Sequence, residues 1–476
     1  MTKLFLVWSA FLPLFLYGQS IVVSEEIPLL SDVAYEVLGE MGNHILLFRD
    51  GKTEFRIQAF NQQMRESWSK ELELDKRSPK VLGIIPDGNY FTLIYSFRRK
   101  GYTQLKAHRY DAAANLVDSS LLVDLGYLFF TPNFELVRSE DRSKLLIYYP
   151  ENQDMLRCYA FDLRSQELLW EQSFEPTNFI YNRDFVQALI SNKGVMTYIL
   201  ERDNQRSKHK QHYYEIHTYD GAGTPISHNI TMDYFLTYDV FFNYDNLNEQ
   251  VVGAGLYAGD NLERAMGVFY LRYDPLAPDD TYTLNFTPFR EAFLESLLGR
   301  NYREGKGLNE AEVQETVLRR DGGVILIVER NRQINRRTGV GAVPNVYYDA
   351  AGRLLIDFYF EEVLVVSIHP DGELHWETIL YKKQYSQDDN GIYSSYFLFQ
   401  TPGRLRFLFN DEIRHENTVS EYVINGLGEY ERNSLFSTAK LDLKLRFRDA
   451  QQISAKSLVV PSERRNRLKL VRIDYP

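Results

Sequence analysis

Side chains with oxygen atoms cluster in two stretches in the C-terminal part of the 476-residue sequence. Carboxylate and amide oxygens are the ligands that Ca²⁺ prefers, because Ca²⁺ is a hard cation. If the two stretches meet in the fold, Asp388, Asp389 and Asp411 would form the centre of a Ca²⁺ or ligand site. The alternative is ordinary turn formation, since Asp and Asn are common in turns and the spacing is not that of a known Ca²⁺ loop. The candidate residues are Gln384, Asp388, Asp389, Asn390, Asn410 and Asp411.

The motifs of several common enzyme classes are absent. The sequence has no G-x-S-x-G nucleophile motif, no H-E-x-x-H zinc motif and no P-loop. His209, His212 and His217 lie close together, but their flanks in KHKQHYYEIH predict an exposed turn that leads into a strand. Cys158 is the single cysteine, so an internal disulfide is excluded. No catalytic residue is predicted.

A short phrase recurs along almost the whole chain. It is an apolar run ending in an aromatic residue or Ile, then Asp or Asn, a polar turn and often a Trp seven or eight places on. Most copies lie about 50 residues apart, a period that in a chain of short strands indicates a radial array of four-stranded sheets. The sequence therefore predicts an all-β fold, a β-propeller of eight blades, or of seven if one copy is degenerate. The residues that follow the aromatic residue or Ile, called anchors below, are Asn61, Asp111, Asp162, Asp220, Asp274, His369, Asn425 and Asp474.

The two ends of the chain are predicted to share a blade. The last repeat stops after LKLVRID and lacks one strand, whereas IVVSEEIPL near the N-terminus belongs to no blade. Pairing of these segments would close the ring and remove the exposed sheet edges of an open array.

The long step between the fifth and sixth anchors predicts two insertions, residues 287–312 and 331–360. The first opens with TPFREAFLESLLG, where Thr287 is the expected N-cap of a short amphipathic helix. The segment NEAEVQE, residues 309–315, is a candidate extension of that helix. The apolar face of the helix is predicted to consist of Phe289, Phe293 and Leu297.

The first 18 residues are typical of a secretory signal peptide, with Lys3, an apolar run from Leu4 to Tyr17 and a small Gly18. Residues 19–476 would then form a single propeller domain in the periplasm, at the cell surface or outside the cell. No second run of about 20 apolar residues follows, so no transmembrane segment is expected in the mature chain. The net charge of −11 argues against a nucleic-acid partner.

Two resemblances accompany the repeat. YAFDLRSQELLWEQSFE, from Tyr159, resembles the repeat of the pyrroloquinoline-quinone propeller superfamily, which includes quinoprotein dehydrogenases and non-catalytic propellers. The dehydrogenases typically carry a vicinal disulfide and a Ca²⁺ site, and the single cysteine excludes that disulfide, so a quinone cofactor is not expected. GGVILIVERNRQ, VLVVSIHPDGELHW, KKQYSQDDNGIYSSY and FLFND are similar to a family of exported bacterial propeller proteins with no assigned activity. The second resemblance implies a bacterial, extracytoplasmic setting.

Propeller topology assigns the loops to faces. Loops from the second to the third strand of a blade, and loops between blades, emerge together on what we call the decorated face; the anchor turns lie on the opposite, plain face. Both insertions belong to the decorated face. Basic residues also gather on it, either as a platform for an anionic partner or as solvated hairpin tips. They are Arg98, Arg99, Lys100, Arg206, Lys208, Lys210, Arg330, Arg332, Arg336, Arg337, Arg464, Arg465 and Arg467.

These patterns favour a non-catalytic binding or scaffold propeller that engages a protein or an envelope component through its decorated face. The alternative is a carbohydrate-active hydrolase or lyase with its site in the central funnel, which would need paired carboxylates there. Strand register decides which side chains line the funnel, so the two functions remain open at this level. The candidate contacts to a partner are Phe289, Phe293, Leu297, Arg332, Arg336, Arg337, Arg464 and Arg465.

Overall fold

The computed structural model describes residues 19–75, 79–207, 209–279, 281–335, 356–413 and 418–476. The leader predicted at residues 1–18 lies outside the described residues, as do Lys208, Arg336 and Arg337. The described residues form eight antiparallel sheets arranged as successive blades, which confirms the all-β, eight-bladed propeller. Within this part of the chain, no helix is both long enough and apolar enough to cross a membrane.

Each blade is a meander of consecutive strands. The chain starts with two strands of the last blade, β1 (Ser20–Val23) and β2 (Ile27–Pro28). Blade 1 consists of β3 (Ala34–Met41), β4 (His44–Asp50), β5 (Phe55–Phe60) and β6 (Glu66–Leu72). Blade 2 consists of β7 (Lys80–Asp87), β8 (Tyr90–Arg99), β9 (Tyr102–Asp111) and β10 (Leu116–Tyr127). Blade 3 consists of β11 (Glu135–Arg138), β12 (Lys144–Glu151), β13 (Met155–Asp162) and β14 (Glu167–Phe174), and the one-turn helix α1 (Tyr181–Asp184) follows it.

The second half repeats the plan with additions. Blade 4 consists of β15 (Phe185–Ile190), β16 (Met196–Arg202), β17 (Tyr213–Tyr219) and β18 (Ile226–Thr231). Blade 5 consists of β19 (Leu236–Asp245), β20 (Gln250–Ala258), β21 (Ala265–Tyr273) and β22 (Tyr282–Pro288), followed by helix α2 (Glu291–Leu298) and a 3-10 turn (Gly299–Asn301). Blade 6 consists of β23 (Ala311–Leu318), β24 (Val324–Asn335), β25 (Ile356–Ile368) and β26 (Leu374–Leu380), with β27 (Gln384–Gln387) on the start of β25.

Two blades complete the ring. Blade 7 consists of β28 (Phe397–Thr401), β29 (Arg404–Asn410), β30 (Thr418–Asn425) and β31 (Tyr430–Ser437). Two 3-10 turns, Ala439–Leu441 and Phe447–Asp449, lead to blade 8. Blade 8 consists of β32 (Gln451–Gln452), β33 (Ser457–Arg464), β34 (Arg467–Asp474) and, at its rim, β1.

The N-terminal strand closes the ring, as predicted. β1 lies antiparallel on β34 with Ser20 opposite Asp474, and β2 pairs further along the same strand with Ile27 opposite Leu468. Between them, the backbone N–H of Ser24 donates to the carbonyl of Leu470 at 2.9 Å. The rim of the last blade is therefore continuous from β1 to β2.

The first strand of each blade lines the central channel. First strands of neighbouring blades contact one another, such as β3 with β7, β15 with β19 and β19 with β23, as expected only near the axis of a propeller. Several of these inner strands carry a β-bulge against the second strand, for example directly before Gly83, Asp239 and Glu315. A bulge strengthens the local twist and re-aims a side chain, so it sets which residues face the channel or the next blade.

The anchors shape the turns of the plain face. The Asp111 carboxylate accepts hydrogen bonds from the backbone N–H of Ala113 at 2.9 Å and of Asn115 at 2.8 Å. In blade 6 the anchor is His369, and Asp371 makes the turn contact instead: its carboxylate accepts a hydrogen bond from the N–H of Glu373 at 3.0 Å. Short polar side chains are needed because they hold the turn without using strand hydrogen bonds. The same side-chain contact is made by Asn61, Asp162, Asp220, Asp274 and Asn425.

In blades 3 and 6, the Trp of the repeated phrase docks its blade against the anchor turn of the next. Trp376 of blade 6 donates its indole N–H to the carbonyl of Gly426 in blade 7 at 3.1 Å. A Cβ atom on Gly428 would lie 2.6 Å from the Trp376 ring, and one on Gly221 would lie 2.7 Å from the ring of Trp170. In these two pairs of blades, a Trp in one blade therefore goes with a Gly in the anchor turn of the following blade.

The helix forms in the predicted segment, but it begins a few residues after the expected N-cap, and its apolar face packs into the protein core. Thr287 belongs to the end of β22, so α2 begins only at Glu291. Residues 309–315 do not extend it: Ala311 and Val313 are buried at the two-residue spacing of a strand, and they start β23. Phe289, Phe293 and Leu297 are buried in the core shared by blades 5 and 6. The expected contact surface of the helix is therefore already covered by the protein itself.

The docking of Trp170 against blade 4 is tested by two glycine substitutions in one turn. Gly221 and Gly223 both have positive φ, but only a Cβ at Gly221 meets the Trp170 ring. We expect Gly223→Ala to lower the free energy of unfolding by about 1 kcal/mol through backbone strain, and Gly221→Ala by about 2–4 kcal/mol because overpacking is added. Denaturant unfolding of both variants measures the difference, and equal losses would contradict the docking role.

Candidate functional site

A fully buried ion pair lies between blades 6 and 7, near the decorated end of the channel. The Lys382 ammonium is 2.5 Å from Glu329 Oε1. The Ser395 hydroxyl donates to Glu329 Oε2 at 2.6 Å, and Lys382 also donates to Gln384 at 3.0 Å. Burial lowers the pKa of Lys382, and the Glu329 carboxylate opposes that shift. A buried charge survives only with such partners, so these four side chains depend on one another.

The sequence predicted two residues of this network as ligands, and the structure brings them together as bridges between blades. Gln384 donates to the carbonyls of Asn410 at 2.7 Å and Ser395 at 3.2 Å, and its own carbonyl oxygen accepts from the Ser395 N–H. Asn410 donates to the carbonyls of Tyr393 and Leu445, both at 2.9 Å. Both amide side chains are buried and tie the loop before blade 7 to its neighbours.

The acidic candidates do not join them. Asp388 and Asp389 each accept a hydrogen bond from a nearby backbone N–H, at 2.7 and 3.0 Å, and the exposed Asn390 has the positive φ of a turn residue. Asp411 is paired with Arg432 at 2.6 Å. Across the described ranges, no three His, Cys, Asp or Glu side chains are grouped as ligands of one metal ion. Ca²⁺ binding here stays a prediction, and the contacts observed are those of turns.

A small chamber of about 290 Å³ opens next to the ion pair. Its lining includes Glu315, Tyr396 and Arg448. Burial raises the pKa of Glu315 to about 7, and the Tyr396 hydroxyl offsets part of that rise. The exposed Arg448 guanidinium lies 4.7 Å from the centroid of the Phe360 ring. The chamber can therefore accept a small polar group or a proton.

Other polar side chains at the inner strands join blades to each other. Gln187 exchanges two hydrogen bonds with the backbone of Phe242, at 2.8 and 2.9 Å. Asp239 accepts from the backbone N–H of Val313 at 2.7 Å. Glu315 occupies the matching bulge position of the next blade. Gln187 and Asp239 hold neighbouring inner strands in register, which is a structural task.

Larger clefts open on the decorated face. A cleft of about 950 Å³ beside blade 4 contains Glu201 and the ion pairs of Arg202 with Asp184 at 2.9 Å and with Glu215 at 2.7 Å. Burial raises the pKa of Glu201 to about 7. A cleft of about 440 Å³ adjoins it and includes Tyr234.

A third cleft, of about 660 Å³, lies where blade 8 meets blade 1. The Tyr35 hydroxyl donates to Glu463 at 3.0 Å there, and Arg446 pairs with the same carboxylate. Burial raises the pKa of Tyr35 far above its ordinary range. All three clefts are lined by loops between blades and by loops from second to third strands.

Most of the basic candidates that the structure describes lie on hairpin tips of this face, but Arg330 and Arg332 lie within strand β24, and Arg330 is buried. Arg332 stacks over the Tyr359 ring at 4.6 Å, and Arg464 pairs with Asp442. Arg465 is exposed at a turn position of positive φ. The described partner candidates Arg332, Arg464 and Arg465 are spread over blades 6 and 8 and do not form one cluster with the buried helix residues.

Sequence reasoning missed Glu329 and Lys382. One signal was present: Glu329 directly follows the apolar run VILIV inside a strand, and Lys382 follows the apolar end of β26. A charge at a position that should be buried calls for a partner, but the sequence does not show which blade supplies it.

No protein-family model matches the sequence, and no curated protein matches it. The β-propeller domain of the Trilobed protease from Pyrococcus furiosus is similar over 84% of this chain and 98% of that chain, at 13% identity and a TM-score of 0.36. Porphyromonas gingivalis dipeptidyl peptidase 4 is similar over 90% of this chain and 56% of that chain, at 10% identity and a TM-score of 0.46. Saccharomyces cerevisiae Sqt1 is similar over 95% and 98%, at 10% identity and a TM-score of 0.46. These similarities assign neither a family nor an activity.

The buried ion pair is tested with adjacent lysines. Lys382→Met leaves the Glu329 carboxylate buried without its cation, and we expect a loss of about 3–5 kcal/mol in the free energy of unfolding. Lys383→Met, at the exposed neighbour, should change it by less than about 0.5 kcal/mol. Adding Glu329→Leu to Lys382→Met should recover most of the loss. Equal unfolding midpoints for the two lysine variants would rule out the pairing.

The raised pKa of Glu315 predicts a pH-dependent effect on stability. The folded state favours the protonated acid, so the carboxyl group destabilises the protein increasingly as pH rises from its ordinary value of 4.5 toward about 7. Glu315→Gln imitates the protonated form, so its melting temperature relative to the native protein should rise across this window and then level off. The exposed Glu312→Gln in the same strand is the control. If the difference in melting temperature between Glu315→Gln and the native protein does not vary with pH, the pKa of Glu315 is not raised in the folded state.

Proposed function

We propose that the chain is an exported, non-catalytic binding module that holds a protein or an envelope component on its decorated face. The observation that carries the proposal is the position of the three clefts, which open among the loops of that face. Loops held by a rigid scaffold are the usual place for binding. The signal-peptide-like N-terminus supports a role outside the cytoplasm.

Exposed apolar side chains at the clefts support the same proposal. Tyr234 is 94% exposed at the 440 Å³ cleft, and Leu30 is 87% exposed at the 660 Å³ cleft. Ile180 and Leu262 stand exposed at the 950 Å³ cleft. Apolar groups around a polar cleft favour a macromolecular partner, which gains binding energy from covering them.

The carbohydrate-active alternative has one supporting observation, the pKa values near 7 of Glu201 and Glu315. A general acid of that kind needs a second, free carboxylate nearby. In the Glu201 cleft, Asp184 and Glu215 are both held in ion pairs with Arg202, so neither is free. The binding role therefore accounts for more of the observed contacts.

The proposal predicts that partner capture depends on one face. Immobilised residues 19–476 are incubated with an envelope extract, and retained molecules are quantified by mass spectrometry. Ile180→Ser with Tyr234→Ser, on the decorated face, should reduce retention about tenfold because exposed anchors are lost. Leu247→Ser with Leu427→Ser, at exposed turns of the plain face, is the matched control and should leave retention unchanged. If retention fell only with the plain-face variant, the assignment of binding to the decorated face would be wrong.

A further inference from the structure

An exposed group of aromatic side chains projects from blade 2 on the decorated face. Tyr102 begins β9, Tyr127 ends β10, and Phe129 and Phe130 follow in the loop to blade 3. Their exposed fractions are 50, 71, 76 and 79%. The two Phe rings pack edge to face on each other at 4.8 Å. We call these four residues the aromatic ridge.

The ridge is held in place by the hairpin beside it. The Arg98 guanidinium donates to the carbonyls of Leu128 at 2.5 Å and Phe129 at 3.1 Å. A Cβ atom on Gly101 would lie 3.1 Å from the Tyr127 ring, so that ring covers the hairpin turn closely. The exposed aromatic residues are thus fixed in an outward position, which lowers the entropy cost of a contact.

Within the hairpin tip and the ridge loop, all charged residues are basic, and the acidic residues Asp124 and Glu135 lie just outside these segments. Arg98, Arg99 and Lys100 are all exposed on the adjoining hairpin tip. The segments 97–103 and 126–134, which form the hairpin tip and the ridge loop, contain these three basic residues and no acidic residue. The whole chain carries a net charge of −11, so this patch is a local exception.

We propose that the aromatic ridge and its basic hairpin tip form a contact site for an anionic phospholipid membrane surface. The inference specifies one envelope component for the binding role proposed above and rests on that role. Aromatic rings favour the boundary between headgroups and acyl chains, and each basic residue near an anionic surface adds electrostatic attraction.

The shape of the patch selects a membrane over a folded partner protein. The ridge protrudes, and none of its four residues lines the clefts described above. A folded partner would need a complementary groove for two adjacent protruding Phe side chains, whereas a fluid bilayer accommodates them without one. Positive charge beside the rings, in an acidic protein, complements anionic headgroups.

Vesicle co-sedimentation of residues 19–476 tests the proposal directly. Vesicles of phosphatidylcholine with phosphatidylglycerol should bind the protein, and vesicles of phosphatidylcholine alone should not. Phe129→Ser with Phe130→Ser should weaken binding about 30-fold, through loss of two inserted apolar side chains. Arg99→Gln with Lys100→Gln should weaken it about tenfold and flatten its dependence on salt. Leu247→Ser, exposed on the plain face, is the control and should bind like the native protein.

Three results would overturn the membrane proposal: equal binding to both kinds of vesicle, no effect of the Phe pair, or a captured protein that depends on the ridge while vesicles do not bind. Near-ultraviolet circular dichroism confirms that each variant is folded. If vesicles do not bind but extract capture still depends on Ile180 and Tyr234, only the membrane proposal fails. If capture from the extract depends on neither face, the proposed binding function fails, whatever the result with vesicles.

Discussion

The structure depends on closure of the ring by hydrogen bonds between β1 and β34. Each blade buries its faces only against two neighbours, so a gap would expose the faces of blades 8 and 1 together. Ser20 opposite Asp474 completes the rim of blade 8, and the inner strand β32 of that blade then contacts β3. The channel, the bulges of the inner strands and the loops of both faces take their positions from that closed circle.

Within the circle, polar groups that resemble a functional site have structural tasks. Gln187, Asp239 and Gln384 each bind backbone groups of a neighbouring strand or loop, and Lys382 with Glu329 satisfies buried charge between blades. A propeller needs such contacts because its blades share no main-chain ladder near the axis. Under the proposed function, binding would fall to the loops of the decorated face, where clefts and apolar side chains remain accessible.

Much of the fold could be predicted because the repeat depends on contacts between residues that are close in the sequence. The anchors mark turns through side-chain contacts with the backbone a few residues away, so eight copies gave the number of blades. Contacts between residues far apart in the sequence were harder to predict. The Trp376 ring needs Gly428 in the following blade, and Lys382 needs Glu329 two strands earlier in blade 6, pairs that no local pattern reveals. The stretch from Ala311 is a candidate helix extension in the sequence because its alternation is short and its burial depends on β24.

The pairing of β1 with β34 also means that β1 is synthesised long before the strand with which it pairs. Ser20 is made 454 residues before its partner Asp474, which at ribosomal rates of about 5–20 residues per second means roughly 20–90 s without a partner strand. Over that interval β1 is a short apolar segment with unpaired backbone groups, open to pairing with other chains. Glu25 and Glu26 directly follow it, and charges next to an apolar strand discourage such pairing. In the closed ring Glu26 has a second role, because its carboxylate forms an ion pair with Arg467.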